Sequence, residues 1–198
     1  MEAVIETIVG AVEKLRREKD RVLVAIDGRC GSGKSTLADR LKTRLDANLI
    51  HMDDFYLRPE QRTAERRREP GGNVDYERFL EEVLKPLAAG ERFCYRPFDC
   101  RAWRLGEPVA VEPKPVTVVE GSYSCHPSLW TFYDLRIFLT VEPEEQLRRI
   151  RERTGKATCA DMFRDKWIPL EELYFSKLPV RERCGLAFDM TKRVETES

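Results

Sequence analysis

Apolar residues along this chain fall into blocks of two alternating kinds. Val4, Ile5, Ile8, Val12 and Leu15 recur at helical spacing and predict an amphipathic helix within residues 1–20. Residues 21–27 (RVLVAID) form an almost unbroken apolar run, the mark of a strand buried on both faces, and predict a central parallel strand. Leu37, Leu41 and Leu45 predict a helix from near Gly33 to near Ala47, and residues 49–52 a short strand that stops at Asp53-Asp54. Residues 57–73 are polar, carry Arg58, Arg62, Arg66, Arg67 and Arg68, and break at Pro70-Gly-Gly. They predict a loop or mobile helical excursion outside the core. Phe79, Val83 and Leu87 share one face of a helix over 76–87.

Residues 92–113 mix aromatic and β-branched side chains around Gly106-Glu-Pro108 and predict a β-hairpin excursion turning there. Two more apolar strands follow at 115–119 and 135–141, the first running into Glu120-Gly121. Pro143 suits the first turn of a helix whose apolar side is Leu147 and Ile150. Helical stretches near 161–166 and after Pro169, then a strand over 186–190, complete the pattern. Strands alternating with helices predict one α/β domain with a parallel sheet covered on both faces. Ligands of such sheets sit beyond the carboxyl ends of the strands, and three strands end here at Gly28, Asp53 and Glu120.

Composition narrows the partners. The 35 basic and 35 acidic residues balance, which removes the field that binding to polymeric nucleic acid relies on. The longest apolar run, residues 22–26, is too short to cross a bilayer, so no membrane partner is expected. Early acids at Glu2 and Glu6 argue against a signal peptide. Six cysteines with no C-x-x-C pair and only two histidines give no zinc-site spacing, and free thiols fit a cytoplasmic location. Homo-oligomerisation is left open.

Residues 28–35 read GRCGSGKS and match G-x-x-x-x-G-K-[ST], between a strand and a helix as that phosphate-binding loop requires. The fold expected is therefore the three-layer P-loop NTPase fold with a small hairpin excursion. Gly28, Gly31, Ser32, Gly33, Lys34, Ser35 and Thr36 are the candidate nucleotide-binding positions, because glycines let backbone N–H groups curl around phosphate oxygens at a helix N-terminus. Lys34 would neutralise β- and γ-phosphate charge. The Ser35 hydroxyl would ligate magnesium, joined by the Glu120 carboxylate. Asp53 is placed to act as catalytic base or to hold magnesium through water, with a strand-end cap as the alternative. Asp54 would point elsewhere. Among Arg148, Arg149, Arg151 and Arg153, the pair Arg149 and Arg153 shares a helix face and is the preferred lid pair for the transferring phosphoryl group. Cys30 lies inside the loop, where an inert side chain is the favoured reading over an activated thiol.

Taken together, these residues resemble the uridine kinase (uridine-cytidine kinase) group of P-loop kinases over about residues 22–153. The resemblance rests on the loop, on Asp53-Asp54-Phe55-Tyr56 (similar to the family's Asp-x-Phe-Tyr), on Asp75 in Asn-Val-Asp-Tyr, on Glu120-Gly121, and on Arg96-Pro-Phe98-Asp99, similar to Pro-x-Tyr-Asp. It implies Asp53 as the base toward a nucleoside 5′-hydroxyl, Tyr56 in the substrate pocket and Asp75 on the ribose hydroxyls, although Asp75 also suits a helix N-cap. The chain departs from the family where the base is recognised: a tyrosine becomes Phe98, and Trp103 stands near an expected histidine. Both aromatics are candidate acceptor residues, or core. The lid differs too, with Arg151-Glu152 nearest the family's Arg-Asp.

The function expected is transfer of the ATP γ-phosphoryl group, with Mg2+, to a small-molecule hydroxyl, foremost that of a nucleoside such as uridine or cytidine. Pantothenate, a sugar phosphate, a nicotinamide riboside or a nucleoside monophosphate are alternative acceptors. A nucleotide-binding regulatory NTPase is the alternative of another class. As a domain plan, residues 1–198 form one kinase unit with an N-terminal helix (1–20), a hairpin excursion (91–114) and a lid (148–168).

Overall fold

The computed structural model describes residues 1–155 and 157–191, with the backbone alone for 157–159. Its centre is β1 (Val22–Gly28), all seven residues of which are buried. Side chains alternate across a strand, so Val22, Val24 and Ile26 enter one apolar layer while Leu23 and Ala25 enter the other. That double burial explains why the run lacks polar alternation.

With β2 (Asn48–His51), β7 (Val116–Glu120), β8 (Leu135–Thr140) and β9 (Leu186–Asp189), β1 builds a five-stranded sheet of order β2-β7-β1-β8-β9. Every pairing in it is parallel. On one face, α1 (Glu2–Arg16) contributes Ile5, Ile8, Val9 and Val12, and α2 (Lys34–Leu45) contributes Leu37, Ala38 and Leu41. On the other, a helix opens as α4 (Tyr76–Phe79), widens into a π-helical stretch (Leu80–Leu84) and closes as α5 (Lys85–Ala89). Phe79, Val83 and Leu84 from it pack with Phe55, Tyr123, Phe138 and Tyr174, the last from α8 (Ile168–Lys177). The result is the three-layer α/β arrangement that the alternation of blocks predicts.

Two local expectations are corrected. Residues 57–73 are anchored rather than loose: a short α3 (Ala64–Arg68) carries Arg66, whose guanidinium donates to the carbonyls of Gly72 and Val74 and to Glu77. Leu57, Gly71 and Gly72 are buried. The excursion reads as polar because its anchor is a cation, which composition cannot separate from a solvated arginine. The hairpin is nested, with β3 (Phe93–Tyr95) pairing β6 (Val109–Val111) and β4 (Phe98–Asp99) pairing β5 (Arg104–Leu105). Its reversal lies at residues 100–103, where the Asp99 carboxylate accepts from the amides of Arg101 and Ala102, and not at Gly106.

Between β8 and β9 the chain forms α6 (Pro143–Thr154), α7 (Ala157–Met162), a π-helical stretch (Phe163–Trp167) and α8. This segment arches over the β1–α2 junction.

Candidate active site

At the end of β1 the chain runs through Gly28, Gly31 and Gly33, all at positive φ. Gly28 is the tightest: a Cβ there would lie 2.0 Å from the Leu139 carbonyl oxygen of the neighbouring strand. Lys34 opens α2, and its Nζ folds back onto the carbonyls of Gly28 (2.7 Å) and Arg29 (3.0 Å). Ser32 Oγ is buried within the loop with no hydrogen-bond partner, while Ser35 and Thr36 are exposed on the first turn of α2. An orphaned hydroxyl inside a cradle of left-handed glycines fits a phosphate group.

Beneath the loop lies Asp27, fully buried. It accepts from the amides of Gly28 (2.6 Å), Tyr123 (3.1 Å) and Cys125 (2.9 Å) and from the Tyr174 hydroxyl (3.0 Å). Burial pushes its carboxyl up to about 6 despite these donors.

The parallel register brings the next carboxylate to the loop. His51 of β2 sits opposite Glu120 of β7, and Ile26 of β1 sits opposite Glu120 on the other side. Glu120, 6% exposed, accepts from Ser35 Oγ at 3.2 and 3.3 Å and meets His51 Nδ1 at 2.6 Å. That hydrogen bond to Glu120 raises the imidazole above its ordinary value. Hydroxyl and carboxylate side by side form a hard oxygen donor set that fits magnesium, which keeps waters and phosphate oxygens for its remaining positions.

Asp53 follows β2 on a 3₁₀ turn (Met52–Phe55), so the strand ends one residue earlier than the apolar run suggests. Its carboxylate is open to solvent at the mouth of the site yet hemmed in by protein, and accepts from the Tyr56 hydroxyl at 3.2 Å. Crowding first, and the charge of Glu120 second, hold it above the usual carboxylate range. Asp54 turns away, as expected, and accepts from the Tyr95 hydroxyl at 3.0 Å.

On the far side of Asp53, Tyr56 lies against Trp167 with ring centroids 5.8 Å apart. Asp75 caps α4 through Oδ1, which accepts from the Arg78 amide at 3.1 Å. Its Oδ2 is buried without a hydrogen bond, 3.6 Å from Nε of both Arg58 and Arg78. The helix-cap reading therefore holds through Oδ1, and Oδ2 is ion-paired without a hydrogen bond. Phe98 is buried, whereas Trp103 is 56% exposed at the hairpin tip. Arg62 spans them, its guanidinium carbon 4.4 Å from the Trp103 centroid and 5.5 Å from that of Phe98. Arg62 is held there by two donations to the Leu57 carbonyl. The Cys100 thiol at the hairpin tip is raised chiefly by burial.

The family described as "AAA domain" matches residues 24–165. The chain belongs to that family. Among individual relatives of this AAA domain chain, the bifunctional pantoate ligase/cytidylate kinase of Gloeobacter violaceus is 27% identical over 194 residues, 82% of this chain but 35% of that protein. The chain thus spans about a third of that relative's length. The uridine kinase of Staphylococcus haemolyticus is 28% identical over 144 residues, 68% of this chain and 69% of its own. A solved structure described as a possible uridine kinase from Bacillus stearothermophilus superposes with a TM-score of 0.70 at 19% identity, covering 96% of this chain and 100% of that one. The chain accordingly shares the fold of that solved structure. Among the described residues no helix is long and apolar enough to cross a membrane.

In this AAA domain chain the two arginines expected in a lid divide. Arg149 donates to Glu145 (2.7 Å), to the Gly31 carbonyl (3.3 Å) and to the Met190 carbonyl (2.6 Å), so it braces the phosphate loop instead of reaching across it. Arg153 lies over the Phe163 ring at 5.2 Å. The two share a helix, but the fold commits the first to packing. Burial and Glu171 push the Cys30 thiol up to about 12, which favours the inert reading over the activated one.

Four residues of the site escape a reading of the sequence. Asp27 looks like a strand-end turn residue, and His51 sits in a short strand with nothing to mark its cross-strand partner. Ser122 follows the noted Glu120-Gly121, and adjacency to that strand end is the one signal available. Glu171 reads as a solvated helix glutamate, yet it is buried and accepts from the Cys30 amide.

Proposed function

We propose that this protein transfers the γ-phosphoryl group of ATP to the 5′-hydroxyl of a nucleoside. One observation supports the reading: Lys34 and Ser35 open α2, Ser35 Oγ meets Glu120 at the end of β7, and Asp53 follows the end of the adjacent strand β2. The left-handed glycines would present loop amides to the phosphates, and Lys34 Nζ, released from the Gly28 carbonyl, would pair with phosphate oxygens. Ser35 and Glu120, with Asp53 through water, would hold magnesium, which when bound supplies charge neutralisation across the β- and γ-oxygens.

Asp53 would accept the hydroxyl proton. A carboxylate held above its ordinary range is better matched to that task than a fully solvated one, and the Tyr56 hydroxyl fixes its rotamer. Asp75 Oδ2, ion-paired with Arg58 and Arg78 but without a hydrogen bond, would accept from sugar hydroxyls. Phe98 and Trp103 would flank the rest of the acceptor, and Arg153 is the lid arginine left to meet the transferring charge.

The test is ADP release and product formation with ATP, magnesium and uridine or cytidine. Asp53→Asn should lower kcat by about 10² to 10⁴ with ATP affinity retained. Full turnover in that variant would remove Asp53 from the chemistry.

One observation favours a second reading. Arg62 covers a face of Trp103 on which a base would stack, and it puts a cation against that ring. A smaller or anionic acceptor, such as a sugar phosphate, pantothenate or a nucleotide, suits that arrangement. In an acceptor panel, a best substrate whose KM rises in Arg62→Ala, with uridine poor, would establish it.

A further inference from the structure

Between them, α6 and α8 grip three consecutive loop residues, Arg29, Cys30 and Gly31, and both hold Cys30. From α6, Gln146 Nε2 donates to the Cys30 carbonyl at 3.0 Å and Arg149 Nη1 to the Gly31 carbonyl at 3.3 Å. From α8, Glu172 pairs with Arg29, and both carboxylate oxygens of Glu171 accept from the Cys30 amide, at 2.9 and 3.1 Å. Glu171 is 3% exposed. A carboxylate that deep is tolerated only where donors meet it. The second donor is Ser122 Oγ at 2.6 Å, and Ser122 Oγ also stands 3.4 Å from Lys34 Nζ. A continuous chain of polar contacts therefore runs from the loop lysine through Ser122 and Glu171 to a loop amide and into α8. Arg153, Arg164 and Lys166 belong to the segment between the two grips.

We propose that Glu171 is a positioning residue that couples occupancy of the phosphate loop to the placement of the lid. It touches neither nucleotide nor acceptor; it acts through the Cys30 amide and the Ser122 hydroxyl. When Lys34 leaves the Gly28 carbonyl for a phosphate, Ser122 loses its cationic neighbour, and the loop shape is passed to α8 along the Glu171 contact. The proposal rests on the nucleotide-binding part of the function above and not on the identity of the acceptor.

Trypsin cleavage after Arg164 and Lys166, followed by mass spectrometry with and without a non-hydrolysable ATP analogue and magnesium, reads lid placement directly. Wild type should be protected by the analogue. Glu171→Gln, nearly isosteric but with one acceptor turned into a donor, should bind the analogue normally by calorimetry and lose the protection. Ser122→Ala should move the same way, and the double variant should be no worse than Glu171→Gln alone. In turnover, kcat should drop by about tenfold or more with KM for ATP unchanged, as for a misplaced reacting group. Equal protection in wild type and Glu171→Gln, or a melting-temperature loss with kcat and KM intact, would overturn the proposal. No analogue binding in wild type would sink the kinase reading as well. Binding and protection without nucleoside turnover would support the coupling while rejecting the nucleoside acceptor.

Discussion

His51 Nδ1 lies 2.6 Å from Glu120 Oε1, and Ser35 Oγ donates to the same carboxylate. The imidazole thus fixes the orientation of the carboxylate proposed to hold magnesium. Partners that orient a ligating group typically change metal affinity by about 10- to 100-fold when removed. His51→Ala should raise the magnesium concentration for half-maximal turnover by about tenfold or more, with little change in KM for the acceptor. A magnesium titration of both proteins checks this, and superimposable curves would show that His51 does no more than fill space.

Two buried groups make opposing contributions to stability with pH. Burial raises Asp27 from 3.8 to about 6, so its contribution is complete below pH 3.8 and is lost as pH rises through 6. Burial lowers His126, stacked on Tyr76 at 4.0 Å, from 6.5 to about 4; its contribution is present above pH 6.5 and is lost as pH falls through 4. A tenfold change in proton affinity between the unfolded and folded chain corresponds to about 1.4 kcal/mol, so each group is worth about 3 kcal/mol, with opposite sign. Urea midpoints between pH 4 and 6.5 should therefore fall with rising pH in His126→Phe and rise in Asp27→Asn. Wild type should lie flatter than either. Parallel slopes in the three proteins would reject the assignment.

Cys30 lies inside the phosphate loop, yet burial and Glu171 raise its thiol. Its value near 12 leaves almost no thiolate at neutral pH, whereas Cys94 is exposed. Iodoacetamide at about pH 7.5 should label Cys94 well before Cys30 by peptide mapping. Early labelling at Cys30 would show that the Glu171 contact opens readily in solution.

Gly28 has no room for a side chain. Gly28→Ala places a methyl group 2.0 Å from the Leu139 carbonyl at φ 133°, and should cost about 3 kcal/mol of unfolding free energy. Gly10, with nothing within 4 Å of its added Cβ, sits in the helix α1. Gly10→Ala should stabilise by a few tenths to about 1 kcal/mol. Thermal melts of the two variants shifting together would contradict this contrast.

Much of this protein was legible in its sequence, for a physical reason. A strand buried on both faces must be apolar throughout, and a helix packed on one face must repeat its leucines. The order of layers therefore follows from the pattern around residues 21–27 and Leu37, Leu41 and Leu45. The phosphate loop is legible for the same reason: its chemistry resides in a contiguous backbone run that only glycines permit. Asp53 and Glu120 could be singled out because strand ends converge in a parallel sheet.

What the tertiary structure alone decided are relations between residues far apart in the chain. The register of β2 on β7 sets His51 against Glu120, and the arch between β8 and β9 lowers Glu171 onto Cys30 across 141 positions. The same arch turns Arg149 into a brace, and the cation–π contacts of Arg62 cover Trp103. Charged side chains carry no periodic signature of burial. Whether an arginine or glutamate faces water or is paired within the fold is fixed by what the rest of the chain sets beside it.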